Sequence, residues 1–135
     1  DEFVGHQVDE NFEIYKSPFI LYTKDMEPET IEKPSSSLDI IPTLSNLLGL
    51  DFDSRLLMGR DIFSDAEPLV LFLNKSFITE KGKYNSVTGE FDPNEGFEAD
   101  QDYINLVSSV IDNKFYYSAK ILETDYYRLI KEYIP

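Results

Sequence analysis

The sequence has 135 residues, of which 41% are hydrophobic and 14% aromatic, enough for the core of one ordinary domain and too aromatic for a disordered chain. A formal net charge of −14 excludes the basic footprint of a nucleic-acid binder and disfavours docking on anionic lipid; ordinary solubility accounts for it. Without cysteine there is no disulfide framework or thiolate site, and no apolar run is long enough to span a bilayer.

In chain order, Asp1 to Tyr15 is acidic and mildly amphipathic, with Val4, Val8 and Phe12 at helical spacing. Phe19 to Tyr22, opened by Pro18, is a short continuous apolar run. That pattern predicts a strand buried on both faces, as in a parallel sheet. The acidic, proline-containing stretch from Lys24 to Pro34 reads as a surface loop. A helix follows, with Asp39 as the expected N-cap, Ser37 as a rival, and Pro42 in the first turn, where its missing N–H does no harm. Ile40, Ile41, Leu44, Leu47 and Leu48 form one apolar stripe that must be buried against something. Gly49 fits the left-handed position that ends a helix, and Leu50 is expected to pack back on the last turn.

Pro68 to Leu73 reads as a second apolar strand. Ser76 to Thr79 and Lys83 to Ser86 are shorter strands parted by a Lys81-Gly82 turn, and Val87 to Glu90 is another turn; together they predict a small antiparallel meander. From Asp100 the pattern turns helical, through Ile104, Val107, Val110 and Ile111. After Asn113-Lys114 an aromatic stretch with Tyr116, Tyr117, Tyr126 and Tyr127 reads as a second helix or a kinked continuation.

Chemistry-bearing residues are sparse. His6 is the one histidine, and a lone histidine on a helix face is more often a surface or packing residue than a ligand. The carboxylates Glu90, Asp92, Glu95, Glu98, Asp100 and Asp102 are dense, but a calcium loop begun at Asp92 would need glycine where Phe97 stands, so a solvated acidic turn is the plainer reading. Asn74-Lys75-Ser76 matches the N-glycosylation triplet, a common chance occurrence. The tail tyrosines could stack on sugar, although such aromatics more often cover a core.

The run Ser35 to Leu50, with its Asp39-Ile40-Ile41-Pro42-Thr43-Leu44 core, followed by Gly59-Arg60-Asp61-Ile62-Phe63, resembles the C-terminal signature of sulfatase-like enzymes of the alkaline-phosphatase superfamily. The segment Asn74 to Phe91, with Phe77-Ile78-Thr79 and Thr88-Gly89-Glu90, and the tail Tyr116 to Tyr127 are similar to lipoteichoic acid synthases and related membrane phosphoglycerol transferases. The resemblance runs from about Phe12 onward and favours that branch over ordinary sulfatases.

It implies the C-terminal part of an α/β alkaline-phosphatase-like fold in residues 1–66, then a small antiparallel sheet with a C-terminal helix in residues 67–135. It also implies a parent enzyme at the bacterial cell membrane with an extracellular catalytic domain, a divalent metal (Mn²⁺ expected) and a threonine nucleophile. The family's Gly-Asp-His metal motif has no counterpart here, since His6 follows Gly5. No catalytic, cofactor-binding or metal residue is therefore assigned to this chain, which is expected to be soluble and, alone, inactive. Its expected partner is the remainder of the parent catalytic domain, with self-association of the isolated chain through residues 17–23 in its place. The alternatives are a sulfatase-branch hydrolase and an independent acidic interaction or carbohydrate-binding module.

Overall fold

The computed structural model describes residue 5, residues 8–98 and residues 100–131. The chain forms two compact units, Asp1–Ile31 and Glu32–Pro135. His6 and Val4 lie outside the described residues.

In the first unit, the helix expected over residues 1–15 is reduced, over residues 8–15, to turns built on Asp9. Its carboxylate accepts from the N–H groups of Asn11 (2.8 Å) and Phe12 (3.2 Å), and its carbonyl accepts from Glu13 (2.9 Å). The expected strand at Phe19 to Tyr22 does not form. These residues pair with no other strand and stand exposed, Ile20 at 85%. A strand covered on both faces needs neighbours to hydrogen-bond with, and the described part of this unit contains no strand.

The second unit holds every regular element found among the described residues. A single 3-10 turn, Ser37–Asp39, leads into helix α1, Ile40–Leu47. Strands β1 (Leu69–Leu71), β2 (Phe77–Thr79), β3 (Gly82–Asn85) and β4 (Glu90–Pro93) form an antiparallel sheet in sequence order. Helix α2, Gln101–Glu123, and the short α3, Tyr126–Ile130, follow. The expected meander is present, with β4 as a fourth strand whose charged sequence hid it. Its first turn is Glu80-Lys81, and Gly82 opens β3. Asn113-Lys114 does not interrupt α2. The break comes at Asp125, held in the left-handed region at φ 50° after Thr124 returns its hydroxyl to the Lys120 carbonyl.

Register explains the core. Leu71, Phe77, Tyr84 and Phe91 stand directly opposite one another across all four strands and so share one face. The Phe77 and Tyr84 rings are 5.1 Å apart and those of Phe77 and Phe91 6.5 Å apart, within the range of favourable aromatic pairing. Helix α2 is tied to the sheet by the Tyr103 hydroxyl, which donates to Thr79 Oγ1 at 2.8 Å, and by the Lys75–Asp112 ion pair at 2.7 Å. Prolines aside, Phe77, Ile104 and Ile111 are the buried hydrophobic side chains among the described residues. Ile104 and Ile111 are two helical turns apart, hence on one face of α2.

Candidate functional site

The signature residues assemble into a clasp between the start of α1 and the loop that contains Gly59-Arg60-Asp61-Ile62. Ser36, not Asp39 or Ser37, caps the helical segment. Its hydroxyl accepts from the Leu38 N–H, while Asp39 reaches back to the Ser36 N–H at 2.7 Å, a reciprocal capping box. Asp39 is thereby released for a second role. It is buried, and its other carboxylate oxygen accepts from the Arg60 backbone N–H at 2.7 Å. One turn on, the Thr43 hydroxyl donates to the Asp39 carbonyl at 2.6 Å and accepts from the Ile62 N–H at 3.1 Å. Asn46 then holds Asp61 at 2.7 Å. Asp39, Thr43 and Asn46 recur at steps of four and three, so one face of the helix reads successive loop residues.

Pro42 and Gly59 complete the fit. Pro42 has no N–H to give the Leu38 carbonyl, four residues back. Gly59 packs against that same carbonyl: a Cβ on residue 59 would lie 2.0 Å from the Leu38 oxygen. The Asp-x-x-Pro-Thr and Gly-Arg-Asp-Ile patterns therefore fix backbone geometry.

Three cations secure the rest of the loop through its carbonyls. Lys33 donates to Ser64 (2.7 Å) and Ala66 (3.4 Å), Arg60 to Glu67, and Lys114 of α2 to Met58 (2.7 Å). Burial, reinforced by the nearby Arg60 guanidinium, pushes the Lys114 ammonium below the ordinary lysine range, against the opposing pull of Asp39.

The polar face of α1 thus turns inward, with Pro42, Thr43 and Ser45 buried, while Ile41 and Leu48 are 63% and 68% exposed. The apolar stripe read from sequence is left largely uncovered. Gly49 takes the expected left-handed conformation (φ 64°), and Leu50 N–H to Ser45 and Gly49 N–H to Asn46 carbonyl bonds close a Schellman motif. Leu50 itself remains exposed and does not pack back.

Of the other sequence candidates, Asp100 caps α2 by accepting from the Tyr103 N–H at 2.7 Å, and the Asn74 side chain accepts from the Ser76 N–H at 3.0 Å in the β1–β2 turn. Tyr116, Tyr117 and Tyr127 are exposed. Among the described residues no group of three or more His, Asp and Glu side chains could hold a metal ion, and no helix is long and apolar enough to cross a membrane. The clasp was missed as a unit because most of its hydrogen bonds, unlike Asn46–Asp61, involve backbone groups, which carry no sequence signature. The spacing of Asp39, Thr43 and Asn46 was the available hint.

Asp39→Ala is expected to destabilise the chain by about 2–4 kcal/mol, because it strands two N–H donors, those of Ser36 and Arg60, in a part-buried site. Urea unfolding of the variant measures this, and a change within experimental error would show that water serves the donors equally well.

The chain is 27% identical over 129 residues to lipoteichoic acid synthase 2 of Bacillus subtilis (strain 168), covering 93% of this chain and 19% of that protein. It is 34% identical over 83 residues to the lipoteichoic acid synthase-like protein YvgJ of the same organism, covering 58% of this chain and 14% of that one. The chain thus spans less than a fifth of the length of either relative. No family model and no solved structure matches it. The resemblance to lipoteichoic acid synthase-like proteins drawn from the sequence holds.

Proposed function

We propose, from the premise that this chain is related to lipoteichoic acid synthase-like proteins, that it is the C-terminal structural portion of a membrane-anchored, metal-dependent phosphoglycerol transferase of the cell envelope. In this reading the catalytic residues and the divalent metal belong to the remainder of an alkaline-phosphatase-like catalytic domain. The described residues gather no cluster that would seat the metal, and no chemical step is assigned to them. The chain's contribution is to complete the α/β body with α1 and to pack the sheet with α2 beside it.

The observation that carries this reading is the uncovered stripe Ile41, Leu47 and Leu48 on a helix that buries Pro42, Thr43 and Ser45. Contiguous exposed apolar surface of this kind marks an interaction site. Burial of such side chains contributes roughly 1.5–3 kcal/mol each. Self-association of the isolated chain through residues 17–23 is the alternative when that remainder is absent.

The test compares this chain alone with the protein extended through the segment encoded upstream of it, each with Mn²⁺ and a chromogenic phosphodiester. Turnover is expected only from the extended protein. Ile41→Asp is expected to abolish that turnover while changing the stability of the isolated chain by less than about 0.5 kcal/mol, since Ile41 is exposed there. Turnover by the chain alone would sink the proposal, as would full activity of the extended Ile41→Asp protein. Hydrolysis of a sulfate ester instead would move it to the sulfatase branch.

A further inference from the structure

The two edges of the four-stranded sheet are finished differently. We propose that the β1 edge pairs with the β1 edge of a second copy of this chain, joining the two sheets into one. The inference rests on strand register and residue type and does not depend on the enzymatic reading above.

The turn into β2 decides which backbone groups the edge offers. The Phe72 N–H donates to the Ser76 carbonyl at 2.9 Å, one residue beyond the Leu71–Phe77 pair. Antiparallel ladders alternate, so the next pair to exchange bonds is Val70–Ile78. The N–H and C=O groups of Leu69 and Leu71 then point away from β2. Among the described residues no strand, loop or side chain bonds to these four groups. Pro68 has the parity of Val70, so its missing N–H falls on the β2 side and leaves the outer row whole.

The opposite edge is closed to such pairing. Strand β4 carries Glu90 and Asp92 and ends on Pro93, which has no N–H. Charges and proline keep an edge strand from adding a partner. Strand β1 has neither device. From Pro68 to Asn74 the chain is uncharged, and Leu69, Val70 and Leu71 are each only half-buried.

A second copy suits this edge because the edge is its own complement. A two-fold axis at Val70 sets Leu69 opposite the partner's Leu71 and Leu71 opposite the partner's Leu69. Each of these pairs exchanges two backbone bonds, so every free group of both edges is satisfied in a closed, isologous contact. Val70 meets the partner's Val70 on the face that also carries Ile78 and Lys83, and no like charges stand opposite each other. The joined sheet then ends on β4 at both sides, and those guarded edges stop the assembly at two copies. Two chains of net charge −14 repel at long range. The screening length falls from about 30 Å at 0.01 M salt to about 8 Å at 0.15 M, so pairing tightens as salt is raised.

The chain has no cysteine, so a single introduced thiol reports its own neighbour. In Val70→Cys the two Cα atoms would stand about 4.5 Å apart, within reach of a disulfide, whereas Ile78→Cys lies one strand further inside each copy and out of reach. Mild oxidation, of the 135-residue chain and of the protein extended upstream, is expected to cross-link Val70→Cys into a dimer and leave Ile78→Cys monomeric. Sedimentation of the unsubstituted chain should show a monomer–dimer equilibrium that shifts to dimer as salt is added. Val70→Lys, which sets like charges opposite each other, should abolish the dimer, and Val70→Thr should keep it. Cross-linking of Val70→Cys no faster than that of Ile78→Cys overturns the proposal, as does a dimer that survives Val70→Lys. Cross-linking through Ile20→Cys alone overturns it in favour of residues 17–23. A Val70→Cys thiol that cross-links in the 135-residue chain and not in the extended protein also overturns it, and assigns the edge to a strand of the parent protein.

Discussion

Gly59→Ala is expected to be among the most damaging single-methyl changes in this chain, costing about 3 kcal/mol. The added Cβ would meet the Leu38 oxygen at 2.0 Å, the Leu38 carbonyl carbon at 2.2 Å and the Asp39 nitrogen at 2.7 Å. All three are backbone atoms of the capped turn, so no side-chain rotation can relieve the clash. Relief requires the loop to lift from α1, which stretches the Arg60–Asp39 and Ile62–Thr43 hydrogen bonds together. Gly49→Ala is the matched control. Its Cβ would meet nothing within 4 Å, and its cost comes only from the left-handed backbone, about 1 kcal/mol. Urea unfolding of both variants separates steric from conformational cost. If the two proved equal, the close approach of residue 59 to the Leu38 carbonyl would not be a feature of the folded chain in solution.

Phe77→Ala is expected to cost about 3–5 kcal/mol, a large part of the stability of a domain this size. Phe77 is fully buried and is the hub of the aromatic row, touching Tyr84 on one neighbour and facing Phe91 beyond it. Few other apolar side chains are fully buried, so little remains to collapse into the cavity. The expected signature is loss of the cooperative unfolding transition at ordinary temperature, with Phe77→Leu intermediate. An alanine variant that unfolds with wild-type midpoint and slope would show that the sheet–α2 core does not hold this unit together.

Both variants act on the second unit, yet they probe different parts of it. Gly59→Ala acts on the clasp and should disturb the amide signals of α1 and residues 58–63 first. Phe77→Ala acts on the sheet and α2. Hydrogen exchange on each variant distinguishes local opening from global unfolding.

The sequence by itself determined the elements whose signals are local. The turn chemistry of Gly49 and Gly89, the apolar run at β1 with the short strands β2 and β3, and the helical period from Ile104 to Ile111 all depend on neighbours within a few residues, and all three appear in the structure. The kinship with lipoteichoic acid synthase-like proteins was legible for the same reason, being carried by short ordered motifs. Tertiary structure decided what each surface faces. A periodic apolar stripe states that a face should be buried, and it does not state by what. Thus α1 turns Pro42 and Thr43 inward and leaves Ile41 and Leu48 outside, and Phe19 to Tyr22 finds no strand to pair with. The role of Asp39 followed the same rule. Its carboxylate read as a helix cap, and only the approach of the Arg60 N–H, 21 residues away, made it the bridge between helix and loop. Hydrogen bonds to distant backbone groups leave no periodic trace in a sequence, because every residue type but proline carries the same donor and acceptor.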